Sequence, residues 1–240
     1  MKPRLDRLLV ERGLADSREK AQALIMAGEV TVNGQKASKP GQPVAGDAAL
    51  AVLARPPFVS RGGLKLAEAL RHFAIDVSGK VCADIGASTG GFTDCLLQAG
   101  AARVHAVDVG AGQLAWSLRT DARVRLHENL NARTLTPAQI AEPLDFLACD
   151  VSFISVTLIL PAITPLLRPQ GQMVILIKPQ FEVGKGQVGK GGVVRRPELH
   201  QAACERVAGA VREFGFQTDM IASPILGAQG NREFLLYAHH

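Results

Sequence analysis

The sequence predicts an α/β protein. A doubly wound, mostly parallel sheet fills residues 61–240, a small α+β unit precedes it over residues 1–53, and residues 54–60 link the two. Three observations carry this reading. From residue 81 onward, short apolar runs alternate with stretches of helical period, which is the pattern of strands crossing over through helices. The first run, Val81-Cys-Ala-Asp84-Ile, passes directly into a Gly-rich turn at 86–91 and then into a helical pattern. Asp84, Asp108, Asp150 and Lys178 each fall at the end of an apolar run, and open α/β sheets place their pockets at the carboxyl ends of the strands. With 240 residues, 47% of them apolar, the chain is long enough for one full α/β domain plus a small one.

In the first unit, Leu5, Leu8, Leu9 and Arg12 lie on helical spacing and Gly13 stops the helix. Ser17 is placed to cap a second helix, with Ala21, Leu24 and Ile25 facing inward and Gly28 at its end. Val30-Thr-Val32-Asn33-Gly34 reads as a strand running into a tight hairpin turn. Gly46-Asp47 is a further turn before the strand 49–52. Pro56 and Pro57 stiffen the linker.

In the second unit, Gly62-Gly63-Leu-Lys65-Leu opens a helix ahead of the first strand. Next come the strand at 81–85, the Gly-rich turn with its helix, and a second strand ending at Asp108. A helix is expected at 112–120, a strand at 123–127, a strand at 144–149 ending in Asp150, and a helix at 154–167. The run Met173–Ile177 is a strand ending in Lys178, and Pro179 turns the chain out of the sheet. Residues 197–214 form a helix with Leu199, Ala203, Val207, Val211 and Phe214 on one stripe. Strands near 218–222 and 233–238 close the fold.

The turn Asp84-x-Gly86-x-Ser88-x-Gly90-Gly91 lacks the G-x-G-x-x-G spacing of a dinucleotide binder. Asp108, after the second strand, is placed to hold a ribose diol. Lys178 either snorkels outward or is held in a pocket, and a salt bridge to Asp150 at the neighbouring strand end would satisfy both groups. Gly184-Lys-Gly-Gln-Val-Gly189-Lys190-Gly191 nearly fits a phosphate-binding P-loop. It has Gly191 where a Ser or Thr must ligate magnesium, and no helix follows at once. Residues 183–196 are therefore expected to be a mobile basic loop.

The turn's D-x-G-x-x-x-G-G form resembles motif I of the class I S-adenosylmethionine methyltransferases, which implies a Rossmann-like sheet. The unit at 4–52 resembles the S4 RNA-binding domain on Arg4-Leu-Asp6-x-Leu-Leu-Val, Ser17-Arg18-x-x-Ala21-x-x-Leu-Ile and Gly28-x-Val30-x-Val32-Asn33-Gly34. Lys65, Asp150, Lys178 and Glu233 give the chain order K-D-K-E. Their contexts are Ser60-Arg61-Gly62-Gly63-x-Lys65-Leu, Asp150-Val-Ser-Phe-Ile, Ile177-Lys178-Pro179-Gln-Phe-Glu and Gly230-Asn231-x-Glu233-Phe. Together these are similar to the TlyA-like haemolysin/ribosomal RNA 2′-O-methyltransferase family and, more broadly, to the FtsJ-like RNA ribose methyltransferases. At the linker the chain has Pro56-Pro57-Phe58 where a Trp-type residue is expected.

The resemblance implies a cytoplasmic enzyme that methylates a cytidine 2′-hydroxyl of ribosomal RNA or ribosomal subunits. S-adenosylmethionine is then the cofactor, held by Asp84, Gly86, Ser88, Gly90, Gly91 and Asp108, with Glu128 and Asn129 flanking its adenine. Lys178 is the candidate base. A free lysine titrates near 10.4 and must be lowered to act near neutrality. Asp150 would orient its amine, and Lys65 and Glu233 would hold the ribose. A division in which the four residues mainly position the hydroxyl is equally open. RNA backbone contacts fall by residue type to Arg4, Arg7, Arg18, Lys20 and Lys36 in the first unit, and to Lys185, Lys190, Arg195 and Arg196 in the 183–196 loop.

Net charge is +5, and the first 58 residues carry nine Lys/Arg against six Asp/Glu. That balance permits a nucleic-acid partner. Cys82, Cys95, Cys149 and Cys204 form no C-x-x-C pair and read as buried free thiols of a reducing compartment. No His/Cys cluster has metal-ligand spacing. The longest uncharged run, 151–167, contains Pro161 and Pro165 and falls short of the ~20 apolar residues of a membrane span. The opening Met1-Lys-Pro-Arg-Leu-Asp runs straight into a charged helix, so no secretory leader is expected. The two rival readings are a non-catalytic RNA-binding or assembly factor and a membrane-lytic protein.

Overall fold

A computed structural model describes residues 2–53 and 56–240, with the side chain of Lys185 outside the description. Ala54 and Arg55 of the expected linker are therefore outside the described residues. The chain divides into two compact units at Pro56–Pro57.

The first unit contains α1 (Leu5–Glu11) and α2 (Arg18–Met26), then β1 (Val30–Val32), β2 (Gln35–Lys36) and β3 (Leu50–Val52). Ser17 caps α2, its hydroxyl accepting from Lys20 N at 3.2 Å. Asn33 and Gly34 both have positive φ, +50° and +78°, which a type I′ hairpin demands, and β1 pairs β2 across them. Leu5, Leu9, Ala21, Ile25 and Val30 form a fully buried core. Arg12 does not face that core: it sits past the end of α1 and donates to the carbonyls of Gly46 and Ala48.

The second unit runs α3 (Gly62–His72), β4 (Val81–Ile85), α4 (Gly91–Gln98), β5 (Arg103–Val107), α5 (Trp116–Arg119), β6 (Val124–His127) and α6 (Pro137–Ile140). It continues β7 (Leu144–Cys149), α7 (Leu160–Ile163), β8 (Leu167–Ile177), α8 (Pro179–Glu182), α9 (Pro197–Arg212), β9 (Gln217–Ala222) and β10 (Phe234–His239). The sheet order is β6-β5-β4-β7-β8-β10-β9. It is parallel from β6 to β8, and β10 is antiparallel to both its neighbours. Successive residues of the central strands feed two apolar clusters, one on each face. Ala83, Leu147 and Ile175 pack on one side, and Cys82, Phe146 and Val174 on the other. Burial on both faces is why these strands read as continuous apolar runs.

The helices depart from expectation where glycine and proline intervene. The helix expected at 112–120 shrinks to α5, because Gly112 takes φ +73° and its N–H is tied to Glu128. The helix expected at 154–167 breaks into a 3₁₀ turn at Val156–Leu158, the single turn α7, and a second 3₁₀ turn at Thr164–Leu166. Pro161 and Pro165 lack the N–H that an unbroken helix needs. β8 begins six residues earlier than Met173, running through Pro169 and Gly171 and meeting β7 across a bulge. α9 ends at Arg212, short of Phe214.

Candidate active site

Sheet register builds the site. Asp84 lies in β4 beside Ala106 and Ala148, and Asp150 follows β7 with its N–H bonded to Ile85 O at 2.9 Å. Lys178 follows β8. Because Phe234 of β10 pairs with Ile177 of β8, Glu233 falls opposite Lys178. Lys65 reaches the same place from α3, whose end is packed on β10 through the stacked rings of Phe73 and Tyr237, 5.0 Å apart. One strand parallel to β8 and one antiparallel to it thus bring two acids to the end of β8, where Lys178 follows that strand and Lys65 arrives from α3.

These four residues form two ion pairs. Lys65 Nζ donates to Glu233 Oε2 at 2.5 Å, with both residues buried. Lys178 Nζ lies 2.5 Å from Asp150 Oδ1, an ionic contact outside hydrogen-bond angles, and donates a hydrogen bond to Ser152 Oγ at 2.7 Å. The amine of Lys178 is thus aimed by two partners, although its side chain is 11% exposed and reaches a cavity.

Three adjoining cavities meet here, and Ser152 lines all of them. The first, about 310 Å³, is bounded by Lys65, Asp84, Gly86, Ser88, Asp150 and Lys178. The second, about 480 Å³, runs past Asp108 and Gln113 to Leu130 and Asn131. The third, also about 480 Å³, lies between Lys65, Lys178, Glu233, Gln180 and the rings of Phe153 and Phe181.

Asp84 is fully buried. Its Oδ2 accepts from Thr93 N at 2.8 Å and Thr93 Oγ1 at 2.7 Å, while Oδ1 has no partner. Burial pushes its carboxyl up to about 7 against the two Thr93 bonds, with Asp150 adding to the rise. An ionised carboxylate oxygen buried without a donor is costly, which is the physical cause of the rise.

The glycines of the turn serve close packing of the protein on itself. Gly86 has φ +88°, and a Cβ there would lie 2.5 Å from the carbonyl oxygen of Asp150. A Cβ at Gly91 would lie 2.2 Å from Ser60 Oγ. Gly90 faces Leu114 and Leu118 and does not line the cavities. Ser88 N donates to Asp108 Oδ2 at 2.7 Å, and Gly110 N to Oδ1 at 2.7 Å, which fixes the Asp108 carboxylate at the second cavity. Glu128 instead binds Gly112 N and Arg119, and Asn129 takes φ +55°. The wall beyond β6 is supplied by Leu130 and Asn131.

Arg4 and Arg18 meet on one buried carboxylate, Asp6. Arg4 donates to it at 3.0 and 2.8 Å, Arg18 at 3.0 Å and Gln22 at 2.9 Å. The Arg4 guanidinium holds Asp6 far below the usual carboxylate range. Arg7 and Lys36 are exposed, and Lys20 pairs with Asp16. Lys190, Arg195 and Arg196 are exposed in the 183–196 loop; Lys185 falls outside the described side chains. The back half of that loop is fastened by buried Asn231, which accepts from Val194 N at 3.0 Å and donates to Gly192 O at 2.9 Å. Of the expected linker, Val59 N is bonded to Asp94 and the Phe58 ring packs on Gly63.

Sequence reasoning did not single out Ser152, Phe153, Gln180 or Thr93. Phe153 is 92% exposed with φ +67° and its ring centroid 5.3 Å from that of Phe181. A lone Ser or Phe in a loop carries no periodic signal; the neighbouring Asp150 was the available pointer.

A model of the FtsJ-like methyltransferases matches residues 58–240, and an S4 domain model matches residues 3–49. The chain belongs to the FtsJ-like methyltransferase family. It is 49% identical to the Mycobacterium tuberculosis 16S/23S rRNA (cytidine-2′-O)-methyltransferase TlyA, over 98% of this chain and 88% of that protein. It is 42% identical to Hemolysin A of Brachyspira hyodysenteriae, over 98% of each. The solved structure of a hemolysin-named Streptococcus thermophilus protein matches with a TM-score of 0.76 and 44% identity, over 99% of this chain and 88% of that one. In this FtsJ-like chain, no helix among the described residues is long and apolar enough to cross a membrane. No His/Cys/Asp/Glu group among them is arranged to hold a metal ion.

Proposed function

We propose that this chain transfers a methyl group from S-adenosylmethionine to the 2′-hydroxyl of a cytidine in ribosomal RNA, in the cytoplasm. The observation that carries the reading is the pair of ion pairs, Lys65–Glu233 and Lys178–Asp150, on the wall between a cavity floored by the unpaired Asp84 oxygen and a cavity bounded by Phe153 and Phe181. One side suits a cationic donor and the other a nucleotide.

The residues fit the cofactor. Asp84 Oδ1 would accept from its ammonium group, Asp108 would take the ribose diol, and the wall at Leu130 and Asn131 would flank the adenine. When bound, it supplies an electrophilic methyl on a sulfonium. The chain's own work is alignment and proton removal. Lys65 and Glu233 would hold the ribose. Lys178, aimed by Asp150 and Ser152, first releases its ion-pair proton to solvent, and the neutral amine then takes the hydroxyl proton at Nζ as the oxygen attacks. Phe153 offers an open ring face on which the base of an unstacked nucleotide can rest. The S4 unit supplies backbone grip through Arg4 and Arg18.

The test is product analysis. Ribosomal subunits lacking the modification are incubated with the protein and labelled S-adenosylmethionine, then digested to nucleosides. The expected product is 2′-O-methylcytidine. Label on a base, or none on either subunit, would overturn the reading; the latter would favour a binding factor that keeps the fold without the chemistry.

A further inference from the structure

Among the described residues, three buried side-chain oxygens have no hydrogen-bond partner: Asp84 Oδ1, Asp150 Oδ1 and Gln180 Oε1. All three belong to residues lining the cavities described above. Buried polar atoms are almost always paired, so each orphan asks for an explanation. Asp150 is answered by the ammonium of Lys178. Asp84 faces the cavity proposed for the cationic donor. Gln180 has no role in the reaction so far, and it lines only the third cavity, with Lys65, Lys178 and Glu233.

Resting on the ribose-methylation reading, we propose that Gln180 is the residue that selects the target base. Its amide oxygen accepts a hydrogen bond from the exocyclic amine of a cytosine that rests on the open face of Phe153 and reaches into the third cavity. The covalent structure of a nucleotide supports this placement, because the base hangs from the ribose carbon next to the one bearing the 2′-hydroxyl. With that hydroxyl at Lys178, the base must lie against the residues flanking the lysine. Those residues are Phe153, next to Ser152, and Gln180, two positions on in a turn whose first residue, Pro179, is buried. Cytosine presents an amine donor on its pairing edge where uracil presents a carbonyl oxygen. An oxygen facing an oxygen leaves two buried acceptors unpaired, which is how a polar site rejects a near-isostere.

The test uses the full-length protein and labelled S-adenosylmethionine. The methylated nucleotide is mapped, and subunits are prepared with cytidine or uridine at that position. The readout is the ratio of transfer rates, cytidine over uridine. For the unaltered protein the ratio should be about tenfold or more. Gln180→Leu should reduce it below about threefold, while Gln180→Glu, which keeps an acceptor, should preserve it. S-adenosylmethionine affinity, measured beside each ratio, should not move. An unaltered ratio in Gln180→Leu would overturn the proposal. Indifference of the unaltered protein to cytidine or uridine would overturn it without any variant. Transfer to neither RNA would remove the methylation reading and this inference with it.

Discussion

Glu233 and Lys65 are a buried pair whose charges have little water to fall back on. Removing one partner of such a pair leaves an uncompensated charge. Glu233→Gln should therefore lower methyl transfer by about a hundredfold or more, with S-adenosylmethionine affinity changed less than about threefold. Single-turnover rates and calorimetric binding check both. Asp84 gives a second prediction. Its folded carboxyl lies near 7 and its ordinary value is 3.8, so the folded apo chain holds a proton that the unfolded chain has already lost between those pH values. Ionising this group thus subtracts stability as pH rises from about 4 to about 7. A cationic ligand at Oδ1 favours the ionised form. Affinity for S-adenosylmethionine should rise with pH up to about 7 and then level off, and the slope should vanish in Asp84→Asn. Titrations at pH 6 and pH 8 decide it.

At the scale of elements, the turn from β4 into α4 sets the distance between strand ends. Gly86 is the tightest point: its φ is positive and the Asp150 carbonyl occupies the space of a Cβ. Gly86→Ala should cost on the order of 1–3 kcal/mol, and it should also displace Asp150 and abolish transfer. Thermal melting beside the methyl-transfer assay tests the two effects together. This turn was legible in the sequence because three glycines follow an acid at the end of an apolar run and pass the chain into a helical pattern. The central strands were legible because burial on both faces leaves continuous apolar runs. The 154–167 segment misleads because its apolar spacing suits a helix while its two prolines do not allow one. The Glu233–Lys178 juxtaposition comes from antiparallel register, to which no local pattern points, and only resemblance to a family placed Glu233 in the site. Ser152 and Gln180 became visible only once Lys178 had neighbours in space.

At the scale of the whole molecule, one chain carries an S4 unit and an FtsJ-like unit. The buried Asp6 orders Arg4 and Arg18 on the S4 unit while cancelling part of their positive charge. The double substitution Arg4→Ala, Arg18→Ala should weaken ribosomal RNA binding. It should also reduce the slope of log affinity against log salt by about one for each phosphate that the variant no longer neutralises. Affinity for S-adenosylmethionine should stay as it was, because the residues proposed to hold it all lie beyond Ser60. Filter binding over a salt series gives the slope.

The most direct test of the central claim is transfer by Lys178→Ala beside the unaltered protein, in single turnover on unmodified ribosomal subunits with labelled S-adenosylmethionine. The unaltered protein should place label on a cytidine 2′-oxygen. The variant should be slower by about 10²–10⁴, at undiminished S-adenosylmethionine affinity. Equal rates from the two proteins would contradict Lys178 as the group that takes the hydroxyl proton.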